Sequence, residues 1–391
     1  MALARILKII AVLFFLGGFP LFSLGEQSSP WPCFGGNYRR NRQSDFSGPV
    51  KGKLHWKFKT GFTIMSSPAV DGAGNLYFGS GDGFFYSLNA KGKLNWRLFL
   101  GDCVNSSPAL APNGVVWVGG NGGRMFGIAL AGKILYEFKL PQAPRRINKP
   151  EKKKIPPFPG SPQPVWIVSS PVISPQGNIY FGANDGNLYA INPQARLLWK
   201  YPAGDKIFSS PALDRAGNIY FGCENRTFYS LTPEGKLRWQ YQTGDRVYSS
   251  PAVWESRVYV GSDDGNLYAF NLEGKLAWRF KAPSYLPSSP AVGKSGTVYL
   301  GCEDGNLYAV SSQGKLKWKF KTHYEIFGSP LLDREERVYF GSDDGFVYCL
   351  KEGRLVWKLW TPKYIESSPA LGKNRTIYVG TEENYLYAIG D

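Results

Sequence analysis

The triplet Ser-Ser-Pro begins at Ser66 and returns at Ser106, Ser169, Ser209, Ser249, Ser288 and Ser367, with Gly-Ser-Pro at Gly328 as an eighth copy. The interval is 39 or 40 residues, apart from one step of 63. A fixed period of this length marks a repeat architecture, in which each unit is too small to bury its own apolar face and stacks on its neighbours. Each triplet leads into a β-branched and aromatic run such as Ile219-Tyr220-Phe221, then a second such as Asn266-Leu267-Tyr268-Ala269, then a third that ends in Trp. Four short strands per repeat predict one propeller blade each.

The tryptophans form their own column, Trp56, Trp96, Trp199, Trp239, Trp278, Trp318 and Trp357, with Tyr136 in the eighth place. The first Trp strand, 53–59, precedes the first triplet, whereas the last repeat stops after 385–389 without one. The expected fold is therefore an all-β, eight-bladed β-propeller of four-stranded antiparallel blades over 53–391, its ring closed by the N-terminal strand so that two raw sheet edges disappear. An aromatic content of 15%, with 46 Gly and 28 Pro, suits a large core with many turns and excludes a disordered chain.

Strand alternation explains much of the charge. In Leu316-Lys317-Trp318-Lys319-Phe320, period two puts the apolar side chains on one face and the lysines on the other, where they blunt an exposed edge. The acidic pairs Asp82-Gly83, Asp185-Gly186, Asp264-Gly265, Asp304-Gly305 and Asp344-Gly345, with Glu383-Asn384, read as two-residue hairpin turns. A calcium loop would need oxygen ligands spread over about a dozen residues, and here a hydrophobic strand begins at once. At the opposite end of the ring stands a basic column, Lys53, Lys93, Lys133, Arg196, Lys236, Lys275, Lys315 and Arg354. It is read either as Gly-Lys turn usage or as a surface for an anionic envelope.

Residues 1–25 carry Arg5 and Lys8, an apolar run, and Ser23-Leu24-Gly25 before polar residues, the pattern of an export signal; a retained N-terminal anchor is the other reading. Residues 26–52 form an N-terminal extension. The protein is expected to be exported, to the periplasm or cell envelope, and monomeric. At a net charge of +16 an exported chain meets anionic surfaces or acidic proteins, and no nucleic acid is expected. Cys33, Cys103, Cys223, Cys302 and Cys349 have no framework spacing and read as small packing residues.

Function is sought where repeats differ. Three positions before each triplet stand Thr63, Cys103, Trp166, Lys206, Arg246, Tyr285, Glu325 and Tyr364; one position before it stand Met65, Asn105, Val168, Phe208, Tyr248, Pro287, Phe327 and Glu366. Alternation puts both columns on one side of the innermost strand at the channel mouth. Trp166, Lys206, Arg246, Tyr248, Tyr285, Glu325 and Tyr364 are the candidate binding residues, by the preference of recognition surfaces for Tyr, Trp and Arg; tolerant drift is the alternative. The long step inserts 141–165 on the same face, with eight prolines, six basic residues and one acid. Its Arg145, Arg146, Lys152, Lys153 and Lys154 are candidates for docking on an acidic partner, against a solvated linker.

Repeats such as Gly265-Asn266-Leu267-Tyr268-Ala269 followed by Gly274-Lys275-Leu276 and Trp278, together with the opening Trp31-Pro32, Phe34 and Gly36-Asn37, resemble the pyrroloquinoline-quinone-type propeller repeat family over nearly all of 31–391. That family includes quinoprotein dehydrogenases and the BamB lipoprotein of outer-membrane assembly. The resemblance implies a non-catalytic scaffold with protein partners on its loop face or, as the alternative, a quinone-dependent dehydrogenase with calcium or a small-ligand-binding propeller, either of them using the channel mouth. The dehydrogenases stack their quinone beneath a vicinal cysteine pair, and this chain has no Cys-Cys. With only His55 and His323, histidine metal sites and Ser-His-Asp triads have little to draw on. The scaffold, with no catalytic residue, no metal and no cofactor, is the favoured expectation.

Overall fold

The computed structural model describes residues 29–141 and 165–391. The expected export signal, and Arg145, Arg146, Lys152, Lys153 and Lys154 of the Pro-rich segment, lie outside the described residues. Among the described residues the chain forms eight four-stranded sheets, and no helix is long and apolar enough to cross a membrane.

Each sheet is one sequence repeat laid from the channel outward. In blade 1, Ala69–Val70, Leu76–Gly79, Phe84–Leu88 and Leu94–Phe99 pair antiparallel in that order. Blades 2 to 7 follow the same plan over 109–139, 172–202, 212–242, 252–281, 291–321 and 331–360. Blade 8 takes Ala370–Gly372, Thr376–Gly380 and Tyr385–Gly390 from the C-terminal end and its outer strand, Lys53–Lys59, from the N-terminal side. Lys53 lies opposite Gly390 and Lys59 opposite Tyr385, so the ring closes as the repeat phase predicts. Second and third strands such as Leu76–Gly79 and Phe85–Leu88 are buried on both faces between neighbouring blades, which is why they read as unbroken apolar runs.

The tryptophans clamp one blade to the next. Trp199 Nε1 donates to the Pro233 carbonyl at 2.9 Å, and Trp56, Trp96, Trp239 and Trp278 do the same to the corresponding turn of the following blade. The ring needs bare backbone beneath it: a Cβ on Gly235, whose φ is +81°, would stand 2.6 Å from Trp199 Cδ2. This explains the Gly of the Gly-Lys turns by packing.

The innermost strands differ from the expectation. They are only two or three residues long, and the Ser-Ser-Pro triplets lie before them, outside any ladder. The backbone is satisfied instead by a hoop around the channel. Each second-serine N–H donates to the Oγ of its counterpart in the next blade at 2.9–3.0 Å, from Ser67 to Ser107 and round to Ser368, which donates back to Ser67. First serines reinforce it: Ser209 Oγ donates to the Ser249 carbonyl at 3.0 Å and accepts from Gly222 N–H at 3.0 Å. The proline that follows has no N–H to satisfy.

Residues 31–48 cross the opposite end of the channel as a strap. Its carbonyls at Trp31, Pro32, Tyr38, Arg39, Asn41 and Arg42 accept the inner-strand N–H groups of Val70, Leu110, Leu213, Val253, Val292 and Leu332. Arg40, 1% exposed, donates to the carbonyls of Phe34, Ser170, Pro171 and Pro211 at 2.6–3.1 Å. Arg42, equally buried, lies 4.2 Å from the Phe34 ring centroid. Burial and the neighbouring Arg40 lower its pKa to about 9, and it stays charged at neutral pH. The strap closes the end that carries the basic column, which leaves the loop end as the mouth.

Candidate functional site

The mouth is built from the loops that bring the chain from one blade to the next. In each, the middle residue of the variable triplet (Ile64, Val104, Ile167, Ile207, Val247, Leu286, Ile326, Ile365) is buried, so its two neighbours turn toward the channel opening. These residues are loop rather than strand, a correction to the strand placement expected from alternation, although the shared facing holds.

The structure joins Lys206, Arg246 and Tyr248 in one network. Lys206 Nζ lies 3.5 Å from Glu224 Oε2 and Arg246 Nε 3.4 Å from Asp263 Oδ2. Tyr248 donates its hydroxyl to Glu224, carries the Arg246 guanidinium 5.2 Å from its ring centroid, and stacks on Phe208 at 5.8 Å. Trp166 is not part of this network; its backbone N–H donates to Asn184 Oδ1 at 2.6 Å. Tyr285 and Tyr364 stand 48% and 50% exposed. Glu325 belongs to a second, acidic group across the ring.

Sequence reading missed a third column that completes the mouth: Gly81, Asn121, Asn184, Glu224, Asp263, Glu303, Asp343 and Glu382. Their N–H groups donate to the carbonyls of Thr63, Cys103, Trp166, Lys206, Arg246, Tyr285, Glu325 and Tyr364 respectively. In Asp263-Asp264-Gly265 only the second acid belongs to the turn. Asp264 accepts from the Tyr268 hydroxyl at 2.6 Å and the Asn266 N–H at 2.8 Å, and Asp82, Asp185, Asp304 and Asp344 accept from their tyrosines in the same way. The first acid faces the mouth. Its signal in the sequence was variation from repeat to repeat beside a turn that is Asp-Gly in five of the eight blades.

Electrostatics divide the ring. Burial pushes Asp263 up to about 6 while Arg246 pulls it down. Asp343 has no such cation: burial, then Glu366, Glu325 and Glu382, push it up to about 7, and its Oδ1 is buried without a protein donor. Glu366 is raised by burial and by Glu382.

The vicinal cysteine pair of the quinoprotein dehydrogenases has no counterpart among the five cysteines of this chain. Among the described residues no three His, Cys, Asp or Glu gather so as to hold a metal ion. All five cysteines are free, and four are buried. Cys103 is the one at the mouth, its Sγ 3.2 Å from the Gly81 carbonyl. His55 Nε2 lies 3.3 Å from the Asp391 carbonyl, and the backbone N–H of His323 donates to Asp344 Oδ2 at 3.1 Å. A concavity of about 1140 Å³ lies on the far face, where the strap meets the turns of blades 1 to 3. Asp71, the carboxylate there, accepts from Ala73, Asn75 and Tyr77.

The family model described as outer membrane protein assembly factor BamB matches residues 47–196 and 184–390. None of the curated proteins matches by sequence. Among solved structures, BamB from Moraxella catarrhalis is similar at a TM-score of 0.68 and 14% identity, covering 87% of this chain and 100% of its own. A europium-containing methanol dehydrogenase reaches 0.73 at 14% identity over 93% and 98% of the two chains. The quinohemoprotein alcohol dehydrogenase from Comamonas testosteroni reaches 0.75 at 14% identity over 94% and 82%. At such identity these likenesses establish the propeller and leave function to the site.

Proposed function

The chain belongs to the family of the outer membrane protein assembly factor BamB, and from that membership we propose that it is a non-catalytic scaffold of the cell envelope, exported to the periplasmic side, whose mouth docks a protein partner. The observation that carries this reading is the mouth itself. An eightfold frame of serines and tryptophans holds, at one end, a ring in which aromatic and charged side chains change from blade to blade. A fixed frame presenting variable anchors is how a recognition surface is made on a repeat protein. Monomeric function, with contact to an anionic surface through the basic column, is part of the same proposal.

Site-specific photocrosslinking in cells tests it. A crosslinker at Tyr285 or Tyr364 is expected to trap one defined protein, and one at the outer-strand position Leu316 is not. In parallel, pyrroloquinoline quinone with calcium is expected to leave absorbance and melting temperature unchanged. A cofactor-dependent shift of several degrees would overturn the scaffold in favour of a quinone enzyme.

A further inference from the structure

The mouth has two unlike halves. Over blades 4 and 5 the charges are compensated, Lys206 by Glu224 and Arg246 by Asp263, and the aromatics Phe208 and Tyr248 cover each other. Over blades 6 to 8 neither condition holds. Tyr285, Tyr324, Phe327 and Tyr364 are 48%, 59%, 36% and 50% exposed. The arc continues into blade 1, where Met65 is 41% exposed. Large apolar groups open to this degree in the mouth loops occur, among the described residues, only on this contiguous arc.

The same arc carries Glu325, Asp343, Glu366 and Glu382, none of which is in an ion pair among the described residues. They sense one another: Glu366, Glu325 and Glu382 all act on Asp343, and the Asp343 Oδ1 acceptor has no protein donor. In a chain of net charge +16, a patch of uncompensated carboxylates is a local exception to the prevailing field.

We propose that the arc of blades 6 to 8 is the docking surface for a cationic peptide segment with apolar anchors, its Lys or Arg side chains meeting Glu325, Asp343, Glu366 and Glu382 and its apolar side chains packing among Tyr285, Tyr324, Phe327 and Tyr364. The proposal rests on the reading of the mouth as a protein-docking site and gives the partner its chemistry. Carboxylates already partly withdrawn from water favour a cation strongly once a partner excludes the remaining solvent. Aromatic side chains beside them supply the anchor area and can take an Arg against their faces.

Fluorescence anisotropy with the full protein at low salt decides it, using labelled 12-residue peptides that alternate Leu or Phe with Lys and a counterpart alternating them with Glu. The Lys peptide is expected to bind although protein and peptide are both positive overall. The triple variant Glu325→Gln, Asp343→Asn, Glu366→Gln should weaken it tenfold or more, as should raising salt from about 50 to 500 mM. Glu234→Gln with Glu273→Gln, exposed acids in turns at the opposite end of the ring, should change it by less than twofold. Equal binding of the Glu peptide, or indifference to the triple variant, overturns the proposal. Binding that appears only after removal of residues 142–164 also overturns it, by assigning the arc to a segment of the chain itself. If the cationic peptide fails while crosslinking from Tyr285 still traps a protein, the cationic chemistry falls and the scaffold stands. Failure of both removes both.

Discussion

Asp343 shows how a single carboxylate reports on the mouth. Burial and the neighbouring Glu366, Glu325 and Glu382 hold its carboxyl up to about 7, above its ordinary 3.8. Between those values the folded protein keeps a proton that the unfolded chain has released, so this residue's contribution makes stability fall as pH rises from about 4 to about 7. Asp343→Asn removes that contribution. Its gain over the wild type is expected to be near zero at pH 4 and about 1 kcal/mol at pH 8, a figure reduced from the full shift because solvent reaches part of the site. Calorimetric melts at both pH values check this. An equal gain at each would show that the residue acts by packing instead of charge.

Between elements, the clamp of each outer strand on the next blade carries the cohesion of the ring, and its one irregularity is informative. Tyr136 stands where the other blades have Trp, and Ala195, at a φ of +60°, stands where the following turn elsewhere has Gly. A smaller ring permits a Cβ beneath it. Tyr136→Trp alone should therefore cost about 1–2 kcal/mol by overpacking, Ala195→Gly alone should be nearly neutral because relief of backbone strain offsets added freedom in the unfolded chain, and the double variant should recover most of the loss. Thermal denaturation of the three variants measures that coupling, and strict additivity would refute the pairing. Both columns were visible in the sequence because packing repeats with the blade. The serine hoop was visible only as spelling: Ser-Ser-Pro marked the period, but its hydrogen bonds run between units about 40 residues apart, and no local pattern announces them. The acids of the mouth were hidden for the converse reason. Asp263 and Asp343 stand next to turn acids, and which of two adjacent carboxylates faces the tyrosine and which the channel is decided by strand direction in three dimensions.

For the whole molecule, closure and capping are separate devices that the same N-terminal stretch supplies. Lys53–Lys59 completes blade 8 along Tyr385–Gly390, and Asp391 accepts from the Val50 and Lys51 N–H groups where the two ends meet. The strap before it covers inner-strand N–H groups in six of the eight blades and buries Arg40 among four carbonyls. A chain beginning at Val50 keeps the closing strand and loses the strap. It should remain monomeric with a lowered melting temperature, because the uncovered N–H groups face a channel that water can enter. A chain beginning at Thr60 also bares the edge of Tyr385–Gly390, an apolar strand with an open ladder, and exposed edges of that kind recruit further strands. It should self-associate. Size-exclusion chromatography with light scattering separates the two outcomes, and a monomeric, cooperatively melting chain from Thr60 onward would mean that the ring holds by blade packing alone, with the N-terminal strand a covering rather than a closure.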